Sequence, residues 1–448
     1  MIPTWLDGLT WWHVYPLGFS GAEQSTAQAH GVIHRLRHLA NWLDYASGLG
    51  CRGLQLGPIF ASQTHGYDTT DHLQIDHRLG DDADFDALVA GCRQRGLRLL
   101  LDGVFNHVGE AHTLFQVARA AGPHPTDGGA HAARWFRLHW PEGGGEPTYD
   151  TFEGHGRLVA LNHDEPEVAD YVVRVMTHWL ARGADGWRLD AAYAVPPTFW
   201  RGVVDRVRQQ YPDCWFVGEV IHGEPADYLS ASGLDAVTAY GLWRPLWRSM
   251  NEANMFDLAW QVERLAGYAA EHPPMTFVGN HDVTRLASNL TDQRHFGHAI
   301  AALFTLPGVP SIYYGDEQAF RGIKEERYGG DDAIRPMFPD RPDGLAPWGW
   351  PIYHLHRRLI EMRSRNPWLT HCRASVDHLT NTAIALGATP ADSTGRRITA
   401  LLNIADDPVR FPLGLASVAV EVQSDDAAHE PDPLVVPGHT WRVLSHDR

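Results

Sequence analysis

Apolar runs that end in acids, asparagines or histidines recur through this chain, with helix-like segments between them. Leu99-Leu100-Leu101 leads into Asp102, Asn106 and His107. Gly186-Trp187-Arg188-Leu189 leads into Asp190, and Cys214-Trp215-Phe216-Val217 into Glu219. Phe277-Val278 leads into Asn280, His281 and Asp282. Short apolar runs bounded by turn residues predict strands, and helical apolar spacing between them predicts helices. Strands alternating with helices build a parallel sheet. Carboxylates at the ends of several parallel strands are what the mouth of a (β/α)8 barrel presents.

Taken in order, Trp11 to Phe19 predicts a first strand and Val32 to Leu49 an amphipathic helix. Gly53 to Pro58 and Arg98 to Phe105 predict the next two strands, separated by a helix over Asp84 to Arg95. The alternation then breaks. Residues 108–161 are rich in Gly, Pro and His without a long periodic segment, which predicts an inserted subdomain or long loop. Alternation returns with a helix over Val168 to Arg182 and strands over Gly186 to Ala191, Trp215 to Val220, Asp235 to Tyr240, Thr276 to Asn280 and Ser311 to Tyr314. A helix over Tyr353 to Ser364 closes the set of eight. Past Pro367, short β-like runs follow one another without helices, at Thr382 to Leu386, Arg397 to Leu402, Val418 to Val422 and Trp441 to Leu444. The expected architecture is an α/β protein. Its (β/α)8 barrel spans residues 1–107 and 162–367, with an insert at 108–161 after the third strand and a small antiparallel β domain at 368–448.

The 448 residues and their 44% hydrophobic content suffice for a large core. A formal net charge of −17 argues against nucleic acid or an anionic membrane as partner. No stretch is long and apolar enough for a membrane span, and residues 1–12 lack the basic and apolar regions of a signal peptide. Cys51, Cys92, Cys214 and Cys372 are widely spaced, with no C-x-x-C pair. They read as free thiols in a reducing compartment, so a cytoplasmic location is expected.

Arg188 and Asp190 stand two apart, so on a strand their side chains share a face. A cation beside a carboxylate keeps it ionised. The pair alone fits a structural ion pair as well as an activated nucleophile. The other acid-bearing strand ends shift the balance toward a site.

Four of these segments, in order, carry a resemblance: Asp102–His107 (DGVFNH), Gly186–Tyr193 (GWRLDAAY), Val217–Val220 (VGEV) and Phe277–Asp282 (FVGNHD). Together with Gly66–His72 and Ile312–Glu317, the chain resembles the α-amylase family of retaining glycoside hydrolases. Between the motifs it looks most like the neopullulanase, cyclomaltodextrinase and maltogenic amylase branch. That branch usually carries an extra N-terminal β domain. Here the first strand starts near residue 11, so the domain is expected to be absent and the oligomeric state is left open.

The resemblance implies Asp190 as nucleophile, Glu219 as general acid/base and Asp282 as stabiliser of a distorted sugar. Retaining hydrolysis needs one ionised and one protonated carboxyl about 5–5.5 Å apart. Glu219 follows apolar Phe216 and Val217 with no adjacent cation in sequence, which fits an acid kept protonated. The resemblance further implies that His107 and His281 bind sugar hydroxyls, that Tyr67 stacks on the sugar and Asp68 supports the site, and that Asp331 and Arg335 grip the same sugar beside Arg188. An oligosaccharide is the implied substrate, and no cofactor is expected. Calcium, which many amylases hold, would need an Asp before Leu161-Asn162 and a His after the second motif. Leu158-Val159-Ala160 and Tyr193-Ala194 supply neither, although Asn106 is present.

Ile221 and His222 after the acid/base, and Tyr193-Ala194 after the nucleophile, depart from the branch's pattern on the acceptor side. The expected function is hydrolysis of α-glucosidic bonds in short α-glucans through a covalent glycosyl-enzyme. A glucosyl or maltosyl transferase using the same intermediate is the alternative. A non-catalytic carbohydrate-binding relative is a third, disfavoured because all three acids are present.

Overall fold

A computed structural model describes residues 2–447 except 328, 392–394 and 415. Eight parallel strands form the central sheet: β1 (Trp11–Val14), β2 (Gly53–Leu56), β3 (Arg98–Gly103), β4 (Gly186–Leu189), β5 (Trp215–Gly218), β6 (Ala236–Val237), β7 (Met275–Thr276) and β8 (Val309–Tyr313). They lie in the order β6-β5-β4-β3-β2-β1-β8-β7. A parallel bridge from Thr238 to Met275, with the Ala239 N–H donating to Met275 O at 2.9 Å, joins the two ends and closes the barrel.

Period-two alternation sorts the barrel interior into layers. At the N-terminal end, Leu9, Trp11, Leu100, Trp215, Val217, Met275 and Val309 form one apolar cluster. Trp11 stacks on Trp215 with centroids 5.7 Å apart. Gly53 makes room for it, since a Cβ there would sit 2.3 Å from the Trp11 ring. Two residues further along each strand the inward positions turn polar: His13, Gln55, Asp102 and Arg188 are all buried. Each polar residue is therefore carried on an apolar floor and points toward the C-terminal mouth.

The helices follow their apolar spacing. Helix α1 (Asp82–Gln94) opens with a capping box between Asp81 and Asp84. Helix α2 (Pro166–Ala181) starts at a proline and buries Val168, Tyr171, Val172, Val175, Met176 and Trp179 against the sheet. Each such side chain contributes about 1.5–3 kcal/mol. Helices α3 (Pro197–Arg208), α4 (Met255–Ala266), α5 (Phe296–Thr305) and α6 (Trp350–Arg365) complete the outer layer with shorter pieces.

Several expected boundaries move. The first strand stops at Val14, because Pro16 opens a helical turn over Pro16–Phe19. The Val32–Leu49 helix is two pieces, Leu36–Ala40 and Leu43–Leu49. Between β3 and β4 the chain is not structureless: it holds helices at Thr113–Ala120 and Asp127–Arg134, a short hairpin of Leu138–His139 with Thr148–Tyr149, and an antiparallel pair of His107–Gly109 with Leu158–Ala160 that ties its two ends together.

The C-terminal sheet is antiparallel, with strands β9 (Arg373–Leu379), β10 (Ala383–Thr389), β11 (Arg396–Asn403), β12 (Ala416–Gln423) and β13 (Thr440–Asp447) in the order β9-β10-β11-β13-β12. The edge strand β9 escaped the sequence reading because its polar residues and a bulge between Val376 and His378 blur the alternation. Among the described residues no helix is long and apolar enough to cross a membrane.

Candidate active site

The C-terminal ends of β3, β4 and β5 bring three carboxylates onto one guanidinium. Arg188 Nη1 donates to both Asp102 oxygens at 2.8 Å and to Asp190 Oδ1 at 3.1 Å. Its Nη2 lies 2.7 Å from Glu219 Oε1. Register explains the first contact, since Arg188 and Asp102 are Cα partners across β4 and β3. Arg188 and Asp190 do share a face, as their spacing predicts.

Glu219 corrects one expectation. It has no cation beside it in sequence, but the fold places Arg188 against it. Its other oxygen accepts from the Ala191 N–H at 3.0 Å. Ala191 holds a left-handed φ of +45° to present that N–H, which costs a non-glycine residue about 1–2 kcal/mol. Tyr240 donates its hydroxyl to Glu219 Oε1 at 3.0 Å and accepts from Asn280 Nδ2 at 2.8 Å.

The expectation that Arg188 alone sets the nucleophile low is also corrected. Burial pushes the Asp190 carboxyl well up, and Glu219, Asp102 and Asp282 add to the rise as like charges, against Arg188. Asp102 is raised as well, by burial first. One cation serves three buried carboxylates, so Asp190 and Asp102 hold protons that isolated acids would release.

Asp282 behaves differently. Burial works to raise it, but His281, Arg335 and Arg188 outweigh that and hold it far below the usual carboxylate range. His281 Nε2 lies 2.9 Å from Asp282 Oδ2. Arg335 Nη2 reaches Asp282 Oδ1 and Asp331 Oδ2, each at 2.9 Å. Asp331, rather than Asp332, is thus the partner of Arg335. Arg335 lies over the Tyr15 ring at 4.7 Å, and Tyr15 stacks flat on His281.

Tyr67 also lies parallel to His281, with ring centroids 5.3 Å apart. Its hydroxyl reaches Asp102 Oδ2 at 3.1 Å and contacts His281 Nε2. Asp68 accepts from the Thr64 N–H and hydroxyl at 3.0 and 2.6 Å, which fixes the loop carrying Tyr67. His107 Nε2 faces Tyr67 O at 3.0 Å, and its Nδ1 faces Asn106 Nδ2 at 3.0 Å. Burial pushes this imidazole down to about 3, so it stays neutral. Phe152 stacks on its outer face at 4.8 Å.

Arg188 and Glu219 line a small cavity with His13, Tyr240 and Asn280, and Asp282 faces a larger cleft of about 650 Å³. Tyr67, Asp68, Asp282, Asp331 and Arg335 line it on one side, and His155 to Leu158 of the segment after β3 on the other. The site is brought together from residues the sequence singled out. Tyr240 and Tyr15 were missed, and Asn280 figured only as part of a strand-end motif, without a role. Tyr240 and Tyr15 belong to no chemistry-bearing pattern: the closing of β6 and β7 beside β5 shows the use of Tyr240, and the packing of Tyr15 on Arg335 and His281 shows that of Tyr15.

A wide apolar-floored barrel whose mouth gathers buried carboxylates beside a cleft defines a class of proteins, and comparison with known sequences agrees. The family described as "Alpha amylase, catalytic domain" matches residues 13–342. The chain belongs to the α-amylase family. It is similar to a cyclomaltodextrinase of Bacillus sp, 34% identical over 299 residues, covering 64% of this chain and 52% of that protein. It is also similar to a 4-alpha-glucanotransferase of Thermotoga maritima, 29% identical over 359 residues, covering 74% of this chain and 79% of that protein. In structure it resembles the cyclic alpha-maltosyl-(1→6)-maltose hydrolase of Arthrobacter globiformis, with a TM-score of 0.79 at 24% identity and full coverage of both chains. The chain spans about half the length of the cyclomaltodextrinase it matches.

Proposed function

We propose that this chain is a retaining α-glucoside hydrolase acting on short α-glucans. The observation that carries the reading is the convergence of Asp190, Glu219 and Asp282 at the barrel mouth, the first two bound to one guanidinium. Opposite nitrogens of one guanidinium hold Asp190 and Glu219 close, which supports the short carboxyl separation that retention requires.

In this reading the Asp190 carboxylate attacks the anomeric carbon while Glu219 gives its proton to the departing glycosidic oxygen. A covalent glycosyl-enzyme forms and the shortened sugar leaves. Water then attacks the same carbon, Glu219 takes its proton, and the Asp190–carbon bond breaks. Two inversions return the α configuration. Asp282, held ionised by His281 and Arg335, stabilises the positive charge that develops on the ring. His107, His281, Arg335 and Asp331 bind hydroxyls of the sugar on the non-reducing side, and Tyr67 supplies an aromatic face. Arg188 keeps the acids in place.

The reaction needs no cofactor. At the place where amylases bind calcium, Asn106 keeps an amide oxygen, but Leu158, Val159, Ala160 and Ala194 offer no side-chain oxygen beside it. The substrate partner is an oligosaccharide, with no part for nucleic acid or membrane. A cytoplasmic location is supported by four buried free cysteines and by a relative named intracellular maltogenic amylase from Bacillus subtilis.

A second reading is transfer to a sugar acceptor, favoured by the 4-alpha-glucanotransferase, of which this chain covers the larger share. Both need the same intermediate. Product analysis with maltoheptaose, β-cyclodextrin and pullulan separates them. Short α-configured products support the hydrolase, and products longer than the substrate support the transferase. No turnover of any of the three would overturn both.

A further inference from the structure

The seam between the barrel and the C-terminal sheet holds two imidazoles facing each other. His295 immediately precedes α5, and His439 precedes β13. His295 Nε2 lies 3.0 Å from His439 Nδ1. Asp292 Oδ2 is 4.0 Å from the same His295 nitrogen. The ligand atoms of all three residues lie within 4.8 Å of one another. We propose that Asp292, His295 and His439 form a binding site for a divalent transition-metal ion of the zinc class, which staples the barrel to the C-terminal domain.

The donor chemistry fits. Two imidazoles, a carboxylate and a water make an N2O2 tetrahedron of the kind zinc takes. With Zn–N bonds of about 2.0–2.1 Å, two nitrogens on a tetrahedral ion stand about 3.3 Å apart. The observed 3.0 Å needs only a small opening. Asp292 must move inward by less than about 1 Å to share the ion. Arg294 already donates to its Oδ2 at 2.6 Å, but a carboxylate oxygen has a second lone pair.

The surroundings prepare the ligands. His439 Nε2 faces Asp406 Oδ1 at 2.8 Å. A carboxylate there takes an N–H, so neutral His439 carries its proton on Nε2 and turns a bare Nδ1 toward His295. An outer carboxylate that fixes the tautomer of a ligating imidazole is a recurring feature of zinc sites. Side-chain exposure is 7% for His295, 14% for His439 and 30% for Asp292. The nitrogens are thus sheltered, and one side stays open for the ion and its water.

The position gives the site its role. Asp292 and His295 belong to the barrel, and His439 and Asp406 to the C-terminal domain. The only other such group among the described residues, His34 with Asp81 and Asp84, is spent on a helix cap and on Arg37. None of the three ligands lines the cleft, so the ion acts on stability and not on chemistry.

The test uses the full chain, stripped with a chelator and dialysed. Zinc chloride is titrated by calorimetry and cobalt(II) by visible absorption, and the melting temperature is followed against zinc concentration. The expected result is one equivalent bound, a tetrahedral cobalt spectrum and a melting temperature that climbs with zinc. His439→Asn is expected to weaken binding at least tenfold and to remove the zinc-dependent climb. Asparagine tolerates the left-handed φ of +54° at this turn, so the variant should fold. His34→Asn should leave zinc binding and the zinc-dependent climb unchanged. Absence of binding would overturn the proposal, as would binding that His439→Asn leaves intact. A melting temperature lowered by His439→Asn but indifferent to zinc would leave a plain His–His hydrogen bond in its place.

Discussion

Tyr240 donates its hydroxyl to Glu219 Oε1 at 3.0 Å, from a helical turn that directly follows β6. The ring is braced edge-on against Phe277 at 5.0 Å, so the hydroxyl can be removed without disturbing the packing. A hydrogen bond to a charged group is worth about 1.5–3 kcal/mol. Tyr240→Phe is therefore expected to lower kcat about tenfold or more and the melting temperature by a few degrees, with KM nearly unchanged. Steady-state kinetics on a maltooligosaccharide checks it. An unchanged kcat would show that Tyr240 does not position the acid/base.

Arg188 is the single guanidinium among Asp102, Asp190 and Glu219. Removing one partner of a buried charge group leaves the others uncompensated, at about 3–5 kcal/mol. Arg188→Met is expected to destabilise the fold by about that much and to abolish activity. Adding Asp102→Asn should restore part of the stability without the activity. Urea midpoints of the single and double variants measure this, and additive losses would contradict the shared-cation account.

Much of this was legible in the sequence, and the reasons differ by element. Helix α2 was legible because its apolar residues recur at helical spacing and Pro166 marks its start. The carboxylates were legible because each ends an apolar run, which puts it at the barrel mouth. The setting of Glu219 was not legible: Arg188 is 31 positions away in the chain, and only the pairing of β4 with β5 brings them together. Strand β7 shrank to Met275–Thr276 because Phe277 to Asp282 leave the sheet to shape the site. The paired helices of the segment after β3 were hidden by their glycines and histidines, since Asp127–Arg134 holds two glycines that weaken a helical pattern.

Glu317 lies fully buried near the barrel rim and accepts from the Tyr45 hydroxyl and the Gly315 N–H, each at 2.9 Å. Burial nevertheless pushes its carboxyl up to about 7 from 4.5. The folded state thus holds the proton more tightly than the unfolded chain does. The stability this gives is complete below about pH 4.5 and is lost as pH rises through about 7. The loss amounts to about 3 kcal/mol at 1.36 kcal/mol per unit. Denaturation midpoints from pH 5 to 8 should fall for the wild type and flatten in Glu317→Gln. Equal slopes in the two proteins would refute the assignment.

Asp190 pays for its position in stability. Burial and three neighbouring carboxylates push its carboxyl well up, so its ionised form is disfavoured in the folded state relative to the unfolded chain. The sign follows as for Glu317: the penalty is absent below the unfolded value, about 3.9, and grows as pH rises. Asparagine has nearly the same shape and no charge to bury. Asp190→Asn is therefore expected to melt higher than the wild type at pH 7 to 8, by about 2 °C or more, and to lose that advantage as pH falls toward 4. The same change removes the nucleophile, so turnover should fall on the order of 10⁴-fold or more. Calorimetric melting across pH and product formation from maltoheptaose read the two effects separately. A variant that is inactive but no more stable at pH 8 would mean that Arg188 fully compensates the buried charge. A variant that is more stable yet keeps substantial activity would remove Asp190 from the reaction.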